Sequence, residues 1–168
     1  MKGPRTHGHQ AAPSFTVLDG DGRPVADPDG VLTPGLTVAP TQPRRGLVLV
    51  RVLGEVDMLT APRLRDVLDG ALRAVADERD GGPDVTLGGE PPSVVCDLEG
   101  VTFLGASGLD TFAAAHETAV ACRVDLVLVA SHRTVVRPLH VTTLDRCLTV
   151  LASHPALGGR LPVGQGTR

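Results

Sequence analysis

The sequence predicts an α/β domain, a mixed β-sheet with helices packed on it. Three observations lead there. Apolar runs of strand length alternate along the chain with segments of helical period. Leu64, Val67, Leu68, Ala71, Leu72 and Val75 recur in steps of three and four, the spacing of one helix face. Asp125 to Ala130 is short and nearly all apolar, as a strand covered on both faces must be.

The elements follow in order. Residues 1–34 form an extension broken by Pro4, Pro13, Pro24, Pro28 and Pro34, with sparse apolar residues and no period. Phe15-Thr16-Val17-Leu18 is its one short strand candidate, before an Asp19-Gly20-Asp21-Gly22 turn. The domain spans 35–158. Leu36-Thr37-Val38 is a short strand, Pro40 to Gly46 a turn, and Leu47 to Leu53 a strong strand, together a hairpin. Thr60 is placed to cap the next helix, with Pro62 in its first turn. Arg63, Arg65, Asp66, Asp69 and Arg73 give that helix a wet face.

Residues 77–93, rich in Gly, Pro and acidic side chains, read as an exposed insertion. Val94 to Leu98 is the next strand, and a helix opens at Ser107 and runs to about Ala121. After the 125–130 strand, Ser131 caps a third helix to about Val141, shortened or bent by Pro138. Cys147 to Leu151 is a weak strand or helix start, and 159–168 a flexible tail.

Composition excludes several function classes. There are three Phe and no Trp or Tyr, so the core is aliphatic and base-stacking platforms are missing. A formal net charge of -3 offers no basic field for nucleic acid. No apolar run reaches the length of a membrane span, and the N-terminus lacks the apolar core of a signal peptide. Cys96, Cys122 and Cys147 match neither zinc spacing nor a disulfide framework, so the expected compartment is the cytoplasm, with reduced thiols.

The histidines carry no ligand spacing, and Arg23 and Pro24 spoil a calcium loop after Asp19. No phosphate-cradling glycine loop occurs. No metal, no cofactor and no small-molecule substrate is therefore expected.

The most informative stretch is Val94-Val95-Cys96-Asp97-Leu98-Glu99-Gly100-Val101-Thr102-Phe103-Leu104-Gly105-Ala106-Ser107-Gly108-Leu109. It sets one serine hydroxyl at a helix start, where unpaired N–H groups and the positive dipole end stabilise an added anion. On position alone Ser107 reads as a helix cap, with Asp110 three residues on in a capping-box pattern. A nucleophile elbow needs glycine on both sides, and Leu109 stands where the second belongs. His116 lies nine residues along the helix, out of reach as a base.

This stretch resembles the signature of the STAS domain, the fold of bacterial anti-sigma factor antagonists. The resemblance covers roughly Leu36 to Leu157. Leu53-Gly54-Glu55-Val56-Asp57 with Thr60-Ala61-Pro62-Arg63-Leu64 resembles the family's first strand-to-helix junction. Leu126 to Ala130, Val135-Val136-Arg137 and Leu144-Asp145-Arg146 resemble its third helix and exit. The resemblance implies a phosphorylatable Ser107, and a partner-binding site of Asp57, Gly105, Ala106, Ser107, Gly108 and Leu109, with no catalytic residue.

Asp57 also has a local reading, as a surface carboxylate favoured by the helix start that follows it. The implied function is antagonism of an anti-sigma factor that is itself a serine-protein kinase: binding releases a sigma factor, and phosphorylation ends the binding. The alternative is a non-phosphorylated STAS module with a sensory or transport-associated role. Three positions depart from the family. Gly105 replaces an acidic residue, Ala106 a hydroxyl residue, and Thr143 a glycine expected in a left-handed conformation.

Overall fold

The computed structural model describes residues 35–80, without the side chains of the last two, and 91–157. The sequence-predicted extension, its strand candidate at 15–18, most of the insertion and the tail lie outside these residues.

Among the described residues five strands make one sheet in the order β1-β2-β3-β4-β5. They are β1 (Leu36–Arg44), β2 (Leu47–Val56), β3 (Ser93–Leu104), β4 (Asp125–Val129) and β5 (Thr149–Leu151). β1 runs antiparallel to β2, and the remaining pairs are parallel. Three α-helices connect them: α1 (Ala61–Asp80), α2 (Ala106–Cys122) and α3 (Arg133–Val141).

The core follows from strand alternation. Val48, Val50 and Val52 of β2, Val94, Cys96 and Leu98 of β3, and Leu126 and Leu128 of β4 point to one face. The buried faces of all three helices meet them there, with Leu64, Leu68 and Leu72 from α1, Phe112 from α2 and Leu139 from α3. The opposite face carries a smaller cluster of Leu47, Val95 and Val129, against which Ala156 and Leu157 pack.

Several expected boundaries move. β1 does not stop at Val38 but continues through Pro40 and Pro43 to Arg44. Glu55 N–H donates to Gly35 O, so Thr37, Ala39 and Thr41 are the positions of β1 that bond to β2. Pro40 falls between them with its nitrogen turned off the sheet edge, the place where proline costs no ladder bond. Residues 77–80 are not loop but the last turn of α1. Glu78 fastens that turn to the hairpin, its carboxylate accepting from Gly46 N–H at 2.8 Å and Gln42 Nε2 at 2.6 Å.

β3 runs beyond Leu98 to Leu104. It does so through two register shifts against β2, between Asp97 and Gly100 and between Val101 and Phe103, each inserting one extra residue. The helix expected from Ser131 begins at Arg133, with His132 in the cap position and no side-chain cap bond. Ser131 instead donates through its N–H and its hydroxyl to the Glu99 carboxylate, the latter at 2.9 Å. The left-handed residue expected after the third helix is there: Thr143 has φ 59°.

Candidate functional site

Two loops converge at one end of the parallel strands, one leaving β2 and one leaving β3. The β2 loop is a tight hydrogen-bonded turn. Asp57 Oδ1 accepts from the N–H groups of Leu59 at 2.8 Å and Thr60 at 3.0 Å. Thr60 Oγ1 accepts from Asp57 N–H at 2.9 Å and donates to Glu55 O at 2.9 Å. Thr60 does hold the position before α1, its carbonyl accepting from Leu64 N–H at 3.3 Å, while its buried side chain turns the hydroxyl back into the turn. The N–H bonds from Thr60 and then Leu59 hold the Asp57 carboxyl below its ordinary 3.8. Asp57 is therefore a turn-former whose Oδ1 is already engaged.

The β3 loop is shorter. Gly105 is extended, with φ -87° and ψ 175°, and occupies the cap position of α2. Its carbonyl accepts from Gly108 N–H at 3.1 Å and Leu109 N–H at 3.2 Å. Ala106 is the first helical residue, so Ser107 lies second in the helix rather than at its cap. The capping reading of Ser107 and its box with Asp110 is corrected: no side chain caps this helix. Backbone geometry explains it, because the cap position falls two residues earlier, on Gly105. Ser107 is half-buried, and its hydroxyl has no hydrogen-bond partner among the described residues.

One bond ties the two loops together. Gly105 N–H donates to Val56 O at 2.8 Å. It brings Asp57 beside the start of α2, so the six sequence-predicted site residues do come together. Gly108 makes the contact close. A Cβ on it would stand 2.6 Å from Leu104 Cδ1 and 2.7 Å from Val56 Cγ1. Only a hydrogen fits where α2 crosses the end of β2, which is the physical reason for glycine after Ser107. Leu109, buried, then pins the first turn into the core. Ala106 is exposed and adds no polar group.

Among the described residues no histidine is hydrogen-bonded to Ser107. His132 Nε2 lies 3.3 Å from Glu99 Oε2, and His140 Nδ1 lies 2.8 Å from Asp145 Oδ2. These two histidines are thus engaged at the two ends of α3, not at the start of α2. Among the described residues no group of three or more His, Cys, Asp or Glu is placed to hold a metal ion. Nor is any described helix long and apolar enough to cross a membrane.

Sequence reasoning missed three side chains here. Met58 and Leu59 at the crest of the Asp57 turn are 75% and 78% exposed, and Phe103 at the end of β3 is 49% exposed. The available signal was position: Met58 and Leu59 precede the apolar stripe of α1, which begins at Leu64, and so have no place in its core face.

Comparisons with known proteins agree on the family. Residues 39–156 match the family model described as STAS domain. The chain is 30% identical over 115 residues to the Anti-sigma-F factor antagonist RsfB of Mycobacterium tuberculosis, spanning 68% of this chain and 81% of that protein. An anti-sigma factor antagonist from Mycobacterium paratuberculosis is similar in structure, with a TM-score of 0.52 and 28% identity, over 77% of this chain and 92% of the other. The anti-sigma factor antagonist SpoIIAA in its unphosphorylated form shares the fold at a TM-score of 0.53 and 15% identity, over 73% and 92% of the two chains.

Proposed function

The chain belongs to the STAS domain family, and on that premise we propose that it is an anti-sigma factor antagonist controlled by phosphorylation of Ser107. In this reading the unphosphorylated protein binds an anti-sigma factor that is a serine-protein kinase, and a sigma factor is released. The kinase transfers the γ-phosphoryl group of ATP to Ser107 Oγ. The oxygen–phosphorus bond forms, ADP leaves, and the hydroxyl proton is lost. The protein is the substrate and the switch, not a catalyst, and it acts in the cytoplasm.

The observation that carries this reading is the state of the Ser107 hydroxyl. It lies in the first turn of α2, without a hydrogen bond among the described residues and beside the Asp57 turn. A phosphate there meets the orphan N–H groups of a helix start, which favours the product. It also brings roughly two negative charges into a close interface, which favours separation. The test is incubation with candidate anti-sigma factor kinases and ATP, followed by mass-spectrometric mapping. Phosphate on Ser107 alone supports the proposal, and phosphate on Thr60 or Thr102 with Ser107 unmodified overturns it.

A second reading is a STAS module that binds a sensory or transport-associated partner without phosphorylation. Gly105 and Ala106 favour it, because the acidic and hydroxyl groups that would help engage a kinase are missing beside Ser107. The same experiment separates the two, since this reading predicts no incorporation with any such kinase.

A further inference from the structure

We propose that Met58 and Leu59, together with Phe103 at the start of α2, are the side chains that anchor the partner, and that the partner surface receiving them is an apolar recess. This rests on the reading of the Ser107 region as the partner-binding site and names the chemistry of what binds there.

Exposure comes first. Two large apolar residues, each about three-quarters exposed, stand next to each other in one turn, whereas Val120 and Val141 are exposed singly. Isolated exposed apolar residues need no explanation. These are neither isolated nor loose. The Asp57–Thr60 hydrogen bonds close the turn from both ends, so Met58 and Leu59 are presented on a fixed frame. Little conformational freedom of the backbone is left to lose on binding.

Position comes second. The turn is tied to the start of α2 by Gly105 N–H and Val56 O. Phe103 lies over that same start, its Cε1 only 3.1 Å from where a Cβ of Gly105 would be. Phe103 also pairs across the sheet with Glu55, two residues before Asp57. Phe103 therefore lies at the first turn of α2, where Ser107 sits, and the turn that carries Met58 and Leu59 is tied to it through the backbone.

Charge comes third. The Asp57 carboxylate is taken up by two N–H groups, and the first turn of α2 carries no acidic residue. Gly105 and Ala106 supply no polar side chain. The first turn of α2 thus offers a partner apolar contact, with Asp57 as the charge beside it. A phosphate added at Ser107 would add charge beside the ionised Asp57, so both desolvation and repulsion would oppose its burial.

The test uses the kinase that phosphorylates Ser107, titrated calorimetrically against the unphosphorylated full chain. Met58→Ser and Leu59→Ser should each weaken binding at least about tenfold, and the double variant roughly a hundredfold. Val120→Ser and Val141→Ser are the controls. These residues are 64% and 72% exposed but lie at the far end of α2 and the end of α3, and their variants should bind within about twofold of wild type. Thermal melts of all variants should match wild type, because the truncated side chains are exposed. Wild-type affinity in the Met58→Ser/Leu59→Ser variant, with Ser107 still phosphorylated, overturns the inference and leaves the proposed function standing. Equal weakening by the controls also overturns it. If no anti-sigma factor kinase modifies Ser107 or binds the wild-type chain, the proposed function fails and this inference fails with it.

Discussion

Replacing Gly108 by Ala should destabilise the domain, although the residue lies in a helix where alanine is ordinarily preferred. Two effects oppose each other. Gly→Ala inside a helix gains at most about 1 kcal/mol. Against that, the new methyl would meet Leu104 Cδ1 at 2.6 Å, and Val56 at 2.7 Å to Cγ1 and 3.3 Å to Cβ. Leu104 presents a side-chain tip that shifts somewhat. Val56 is β-branched, fully buried and adjacent to the carbonyl that holds Gly105, so it has little room to yield.

Overpacking a filled site costs about 1–3 kcal/mol, so the net expectation is a loss of about 1–2 kcal/mol. For a domain of this size that lowers Tm by roughly 4–8 °C. The assay is urea unfolding of wild type, Gly108→Ala, Val56→Ala and the double variant. Val56→Ala is itself destabilising because it leaves a cavity. In that background, however, the added methyl fills space instead of clashing, and Gly108→Ala should become neutral or stabilising. The expected coupling energy is about 1–2 kcal/mol. An unchanged or raised midpoint for Gly108→Ala in the wild-type background would refute the steric account of the Ser-Gly-Leu motif.

Four further outcomes are expected. Ser107→Ala should cost less than about 0.5 kcal/mol in stability, because Ser107 caps nothing, whereas Ser107→Asp should weaken kinase binding by at least about tenfold; calorimetric titration with parallel melts reads both. Thr143→Gly should raise the urea midpoint by the equivalent of about 1 kcal/mol, since a β-branched residue at φ 59° pays more in left-handed strain than glycine pays in unfolded-chain entropy.

Asp57 is held below its ordinary 3.8, so its contribution to stability is present above that value and is lost as pH falls through the folded pKa. The stability gap between wild type and Asp57→Asn should therefore be largest near neutrality and close below pH 3.8. Cys96 is fully buried and its thiol is pushed up to about 12, first by desolvation and then by Asp97, so a thiol reagent at pH 8 should label exposed Cys147 and spare Cys96 until the chain unfolds.

The order of strands and helices was legible in the sequence because period and length are local properties. The α1 stripe from Leu64 to Val75 and the apolar run at 125–130 each carry their own signal. Boundaries failed where tertiary structure decides. Pro40 looks like a turn until the sheet edge it lines is known. Glu99-Gly100 looks like a strand end until the bulges against β2 are seen. Ser107 looks like a cap because it is the hydroxyl nearest the helix start, but the extended backbone at Gly105, held by the Val56 carbonyl, fixes the cap two residues earlier. The apolar crest at Met58 and Leu59 was legible only by position, as a pair that precedes the α1 stripe, and its exposure needed the fold.

The bond between Gly105 and Val56 also orders events during folding. It closes only when β2 and β3 lie side by side, and that pairing is parallel and joins residues such as Arg51 and Asp97 that are 46 apart in sequence. Contacts of such separation pay their loop entropy before they return anything, and so tend to form late. The hairpin of β1 and β2 and the helix α1 are local and are available earlier. A chain emerging from the ribosome must therefore extend past β3 and into α2 before Ser107 has the Asp57 turn beside it. Partly made chains would then be poor binders and poor kinase substrates, and only the completed domain would take part in the switch.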